Sequence, residues 1–210
     1  MPEEEQVNPY IAFTDVGINL VLILAFFAIL IMAVGRLGWG EEGCKDSERS
    51  LQEAVLKEMG RDLEKCGLIM VNRREYNDPP CVQRWRFDGV KLFRRNSIRM
   101  SPSADQCVAR FAKVIGRYCD REECSLWRRI RIEGHTIPPK PGQPDNWELS
   151  AGRAAVVARI FHSRGRIPAY YLGVSGRAGQ APLDKANRLN PKNERVEVVI
   201  EFVPKSSQKR

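Results

Sequence analysis

The feature that most constrains this chain is the stretch Tyr10–Val34, YIAFTDVGINLVLILAFFAILIMAV, whose one ionisable side chain is Asp15. An apolar run of ~20 residues is enough to cross a bilayer core as a helix. The run therefore predicts a transmembrane helix over 10–34, with residues 1–9 as a cytoplasmic tail. A carboxylate inside a span costs about 2.5–3.5 kcal/mol on insertion scales, so it normally faces a partner or a water path. Asp15 and Asn19 are four residues apart and share one helix face, which Leu22 and Phe26 continue. Thr14 stands beside Asp15 as a hydrogen-bond donor. The alternative is that Asp15 only marks the helix end, roughly 7–8 Å along the axis from Tyr10. Its short side chain, however, cannot snorkel far.

The acidic tail MPEEEQVNP has no basic n-region, and no small-residue cleavage site follows, so the run is expected to stay as an anchor. Two signals on orientation oppose each other. Arg36, Lys45 and Arg49 follow the run and no Lys or Arg precedes it, which by the positive-inside rule puts the C-terminal part in the cytoplasm. The six cysteines, Cys44, Cys66, Cys81, Cys107, Cys119 and Cys124, instead fit disulfides in an oxidising compartment. Large translocated domains largely ignore the charge rule, so the periplasm is the expected location. Reduced, half-buried thiols in a cytosolic protein are the alternative. Cys119 and Cys124 bracket a short polar loop that a disulfide would staple. Cys66 and Cys81 flank a strand and turn and are the second candidate pair. With no C-x-x-C pair and only His135 and His162 as histidines, no metal site is expected.

Residues 35–66 read as a linker: four glycines over 35–43 as a flexible exit, then an amphipathic helix over 46–65 with Leu51, Val55, Leu56, Met59 and Leu63 at helical spacing. Residues 67–204 read as one α/β domain. Strands are expected over 68–74, 83–93, 127–133, 169–174 and 195–203, and helices over 104–118 and 148–161. A weaker helix or loop covers 180–189, and 205–210 is a frayed tail. Such alternation implies one sheet packed by helices. The net charge is +8, and residues 1–40 are acidic overall, so the soluble part is strongly basic and suits an anionic partner.

Three segments carry a resemblance. They are Arg131–Thr136, RIEGHT, a strand running into a loop; Asn146–Ala154, NWELSAGRA, opening a helix; and Asn193–Ile200, NERVEVVI, a closing strand. Together they resemble the OmpA-like peptidoglycan-binding domain in the version carried by MotB, the membrane-anchored stator subunit of ion-driven motors. The resemblance runs from Arg84 to Val203, and FTD at 13–15 resembles the proton-carrying segment of MotB. In that family, an Asp after G-H-T and the Arg of L-S-x-x-R-A grip the diaminopimelate end of the wall peptide. The resemblance implies that Arg153 binds a wall carboxylate, as a guanidinium fork does through two parallel hydrogen bonds. A surface helix arginine paired with a nearby Glu is the alternative. Thr136 and Asn146 match flanking positions, and Arg195 matches a basic position on the last strand. Ile137 stands where the family has its Asp, and isoleucine accepts no hydrogen bond from an ammonium. Asp145 is a candidate stand-in that nothing in the sequence places there.

The resemblance also implies a homodimer within a pentameric MotA-like ring, with Asp15 loading a proton from outside and releasing it to the cytoplasm. No cofactor is implied. The short acidic tail and the FTDVGINL core look more like a non-flagellar stator, of which the B subunit of the Zorya anti-phage system is the leading case; a flagellar-type stator is the alternative. Other classes remain. A non-motor wall anchor needs Arg153 but not Asp15. A membrane-tethered nucleic-acid binder is disfavoured by the cysteines and by the lack of an aromatic–basic motif. A hydrolase would draw on Ser150, His135 and Asp145, but these fall in motif positions with binding roles, so no enzyme is expected.

Overall fold

The computed structural model describes residues 9–60, 62–71, 78, 81–120, 123–143 and 145–204, without the side chains of 9–17 and 34–43. The chain divides into two compact units, Met1–Glu42 and Gly43–Arg210. Helix α1 (Pro9–Met59) has residues in both.

In the first unit the described side chains, Ile18–Ala33, are all exposed, and all but Asn19 are apolar. Among the described residues no helix is long and apolar enough to cross a membrane. The side chains described within the apolar run, those of 18–33, cover fewer than the ~20 residues a span requires. The side chains of Thr14 and Asp15 lie outside the described residues, and Asn19 is exposed. The glycines of 35–43, read from sequence as a flexible exit, carry helical backbone.

The second unit begins inside the stretch read from sequence as a linker. Here Cys44, Ser47, Leu51, Val55 and Met59 form one buried stripe along α1, at the three- and four-residue spacing of a helix face. Leu56, expected on that face, is 49% exposed because it lies about 100° around the helix from Val55. Gly60, at φ +43°, ends the helix in the left-handed region, its N–H bonded to the Leu56 carbonyl at 3.0 Å. A short helix α2 (Asp62–Cys66) follows.

Five strands then form one sheet: β1 (Leu68–Val71), β2 (Val82–Asp88), β5 (Trp127–His135), β6 (Leu172–Gly176) and β7 (Arg195–Phe202). Their order is β1-β2-β7-β5-β6, antiparallel except for the β5–β6 pair. The expected strand over 83–93 stops at Asp88, whose carboxylate accepts the Val90 N–H and starts the helical turn α3 (Gly89–Leu92). Helix α4 (Pro102–Gly116) is capped by Ser101 Oγ on the Ala104 N–H, with Pro102 in the first turn. The loop at 119–124 is a two-stranded ladder, β3 (Cys119–Asp120) and β4 (Glu123–Cys124). Helix α5 (Trp147–Ser163) connects β5 to β6, as a parallel pair requires. The strand expected from Ala169 begins only at Leu172, after a 3₁₀ turn over Ala169–Tyr171. The stretch 180–189 forms a loop, not a helix.

Alternation sorts β7 into two faces. Val196, Val198, Ile200 and Phe202 join the core under the helices, where Phe111 contacts Trp85, Phe87 and Phe161 at centroid distances of 5.3–6.0 Å. Arg195, Glu197 and Glu201 point the other way and are buried too.

All six cysteines are paired: Cys44–Cys81, Cys66–Cys107 and Cys119–Cys124. The local pair agrees with expectation, but the expected Cys66–Cys81 bridge does not form. Cys66 closes onto α4 and Cys81 onto α1, because the N-terminal helices pack into the core instead of tethering it. The two long-range bridges close loops with sequence separations of 37 and 41 residues. Loops of this length are stabilised by about 4 kcal/mol in the chain-entropy account. Replacing Cys44 and Cys81 together by Ser is expected to lower unfolding free energy by 2–4 kcal/mol in denaturant titrations. Non-reducing peptide mapping that yields Cys66–Cys81 linked peptides would overturn the pairing.

Candidate functional site

Two glycines let α5 sit on the sheet. A Cβ at Gly134 of β5 would lie 2.0 Å from the Ser150 carbonyl oxygen, and one at Gly176 of β6 would lie 2.7 Å from Ser150 Oγ. Ser150 is fully buried; its hydroxyl donates to the Trp147 carbonyl and accepts the Ala178 N–H. The G of RIEGHT and the S of NWELSAGRA are thus one contact, and it sets where Arg153, one turn later, emerges.

Arg153 is 2% exposed. Its Nε donates to the Ser97 carbonyl at 3.1 Å, its guanidinium lies 5.2 Å from the Phe93 ring centroid, and Nη1 donates to the Glu194 carboxylate at 2.8 Å. Glu194, at 21% side-chain exposure, is the open member of the pair. Arg153 is therefore paired with a Glu, as the alternative reading had it, but inside the domain rather than on its surface. The sequence reading missed Glu194, Ser97 and Phe93. The available signal was the acid standing directly before Arg195 in NERVEVVI.

The other candidates separate. Asn146 Nδ2 donates to the Ile137 carbonyl at 3.1 Å and closes the loop after β5. Thr136 is buried, with its N–H on the Ala178 carbonyl and its hydroxyl unbonded. Asp145 bonds the Asn146 N–H and the Gln180 amide. Ser150, His135 and Asp145 are thus not joined as a triad by their hydrogen bonds. Asn193 pins the loop at 183–188: its Oδ1 accepts the Leu183 and Asp184 N–H groups, and its Nδ2 donates to the Asn187 and Arg188 carbonyls.

Arg195 belongs to a buried ionic network on the outer sheet face. It donates to Glu197 at 2.5 Å and to the Asn193 and Ala181 carbonyls. Glu197 also receives Arg84 at 2.5 Å and Arg86 at 3.3 Å, and Arg84 grips both oxygens of Asp78 at 2.8 and 2.9 Å. Glu133, His135 and Glu197 bring potential ligand atoms within 4.8 Å of one another. The two carboxylates are, however, already held by Arg84, Arg86, Arg131, Arg177 and Arg195, whose charge opposes a cation there. His135 is 1% exposed, and both ring nitrogens are unbonded; Glu133 is 4.0 Å away, beyond hydrogen-bond range.

Burial, and then the charge of Arg195, pull His135 down to about 3 against the opposing effect of Glu197. Burial pushes Glu197 up, but the charge and hydrogen bond of Arg195, with His135 and Arg84, outweigh it and hold the carboxyl at about 2. Both folded values lie below the unfolded ones, 6.5 for His and 4.5 for Glu, so the unfolded chain binds more protons in between. The stability they contribute is complete above about pH 6.5 and is lost as pH falls, first through His135 and below about 4.5 also through Glu197. Urea midpoints are expected to drop between pH 7 and pH 5 by the equivalent of about 2 kcal/mol. In His135→Gln that step should flatten; an equally steep step in the variant would assign it to other groups.

The OmpA family model matches residues 92–196, half of the chain. The uncharacterised protein YtxE of Bacillus subtilis (strain 168) is 38% identical over 76 residues, a match spanning 34% of this chain and 31% of that protein's length. A MotB-like protein from Desulfovibrio vulgaris superposes with a TM-score of 0.60 at 24% identity, covering 78% of this chain and 99% of that one. The cell wall anchor of the type VI secretion system from Pseudomonas aeruginosa gives 0.55 at 18% identity, covering 71% of this chain and 97% of that one. At these identities the likeness is one of fold. Together with the RIEGHT, NWELSAGRA and NERVEVVI segments that build the α5–sheet contact, the matched residues establish that the chain belongs to the OmpA family.

Proposed function

We propose that this chain is a MotB-type subunit: a membrane-anchored, peptidoglycan-binding protein rather than an enzyme, with its OmpA-family domain in the periplasm. The observation that carries the reading is Arg153, held rigidly by Ser97, Phe93 and Glu194 at the position where the family binds a wall carboxylate. Rigid placement favours binding, because little side-chain freedom is lost when a ligand engages. Three disulfides support an oxidising compartment. Ile137 offers no carboxylate to a ligand ammonium, so recognition rests on Arg153, where a ligand carboxylate competes with Glu194.

The apolar run with Asp15 supports a finer reading. Two copies sit within a pentameric MotA-like ring, and Asp15, flanked by Thr14 and Asn19, carries protons across the inner membrane. The FTDVGINL core favours a non-flagellar motor of the Zorya anti-phage type.

Arg153→Ala is expected to lower retention on purified sacculi about 10- to 100-fold, the equivalent of one charge-assisted hydrogen bond. Glu194→Gln, which loosens the competitor, should raise it. Retention unchanged in Arg153→Ala would remove the wall-binding role. Asp15→Asn keeps shape but cannot cycle a proton. It is expected to leave assembly with the MotA-like ring intact and to abolish proton uptake by vesicles holding the complex. Equal uptake in both would sink the motor reading.

A further inference from the structure

A turn beside Arg153 carries three exposed arginines within six residues. Between the bridged residues Phe93 and Met100, the chain reverses over Arg94, Arg95, Asn96, Ser97, Ile98 and Arg99. The turn is well ordered. The Arg94 N–H bonds the Arg99 carbonyl at 3.0 Å, the Ser97 N–H bonds the Arg94 carbonyl at 3.1 Å, and Ser97 Oγ accepts the Arg99 N–H. Asn96 takes the left-handed conformation at φ +50°, which asparagine tolerates better than most residues. Arg153 bonds the Ser97 carbonyl, so the turn and the buried guanidinium are fixed to each other.

Arg94, Arg95 and Arg99 are all exposed, and none forms an ion pair among the described residues. Of the other exposed arginines, Arg110 is paired with Asp62, Arg117 with Glu58 and Arg164 with Asp105, whereas Arg129, Arg159 and Arg166 form no ion pair among the described residues but do not share one turn. The Arg94 N–H bond to the Arg99 carbonyl brings two like-charged residues to the neck of the turn, and like charges facing each other across paired backbone are destabilising. A repulsion kept without an internal counter-ion points to an anion from outside. Arginine forks match carboxylate and phosphate oxygens bidentately. On an exposed turn each fork alone binds weakly, so affinity requires an anion repeated along a chain. Ile98 is 45% exposed, and its Cγ2 lies 2.9 Å from where a Cβ on Gly152 would stand, so the one apolar side chain of the turn leans on the helix next to Arg153.

We propose that the turn Phe93–Met100 is the docking rim for an anionic wall polymer, its three arginines engaging serial carboxylate or phosphodiester groups next to Arg153. The inference rests on the wall-binding reading above. It makes the interaction largely electrostatic and offsets the acid missing at Ile137.

The test uses the full chain in detergent micelles, sedimented with purified sacculi at low and high salt. The triple variant R94Q/R95Q/R99Q is expected to lose at least about tenfold in retention at low salt and to converge on wild type at high salt, where screening has removed the contribution. Its thermal unfolding should match or slightly exceed wild type, because only exposed side chains change and a like-charge repulsion is relieved. Sacculi stripped of phosphodiester polymers by hydrofluoric acid separate the two anion sources. If the difference between wild type and triple variant persists, carboxylates are the ligand; if it vanishes, phosphodiesters are. A triple variant retained as well as wild type on intact sacculi at low salt overturns the proposal. Wild type that fails to sediment with any sacculus removes the wall-binding reading. In that case soluble polyglutamate and polyphosphate decide the turn itself: binding lost in the triple variant keeps it as a polyanion surface, and no binding by wild type ends it. A loss confined to vesicles of phosphatidylglycerol, with none on sacculi or polymers, overturns it in favour of a lipid surface.

Discussion

The contact of Ser150 with the backbone of β5 and β6 is the constraint on which the placement of Arg153 depends. Helix α5 approaches so closely that neither Gly134 nor Gly176 has room for a Cβ. Any other residue at Gly134 would force the helix outward, since the obstructing atom is a backbone carbonyl and cannot rotate aside. Because α5 cannot shift, Arg153 emerges at one place, over Phe93 and against Ser97. The turn at 94–99 inherits its position from that arginine.

The two faces of the sheet are held by different physics. Under the helices, apolar burial and the Trp85–Phe87–Phe111–Phe161 cluster supply non-directional stabilisation. On the outer face, Arg84, Arg195, Glu133 and Glu197 are buried charges, and such pairs gain little over apolar packing while costing several kcal/mol if one member is removed. Their effect is geometric. Arg195 reaches the Ala181 and Asn193 carbonyls, and Asn193 gathers the loop at 183–188, so the network ties that loop to the strand. Arg195 and Arg153 stand at different tasks although both are buried arginines in the family motifs: one is satisfied entirely within the fold, the other faces a half-open carboxylate.

The N-terminal helical segment from Gly43 is a structural part of the domain rather than a tether. Its stripe of Leu51, Val55 and Met59 covers core, and Cys44–Cys81 and Cys66–Cys107 bind it to β2 and α4. The segment therefore cannot detach without breaking covalent bonds, and the domain proper is larger than the residues 92–196 that carry the family signature.

Much of this protein was legible in the sequence, and the limits follow from range. Alternating Val196, Val198, Ile200 and Phe202 specified a strand with one apolar face, and the helices expected over 104–118 and 148–161 stand within a few residues of those bounds, because such patterns are local. The short Cys119–Cys124 bridge was legible for the same reason. The motifs RIEGHT and NWELSAGRA marked the strand and helix whose contact positions Arg153. The pairing of Cys44 with Cys81 was not legible, since it depends on α1 folding back onto a core that composition does not reveal. The strand over 83–93 was read too long because the carboxylate of Asp88 caps a helical turn, a choice made by one side chain against the β-propensity of its neighbours. Glu194 was passed over because its partner, Arg153, lies 41 residues away, and only the seating of α5 on β5 and β6, with β7 next to β5 in the sheet, brings the two within 2.8 Å.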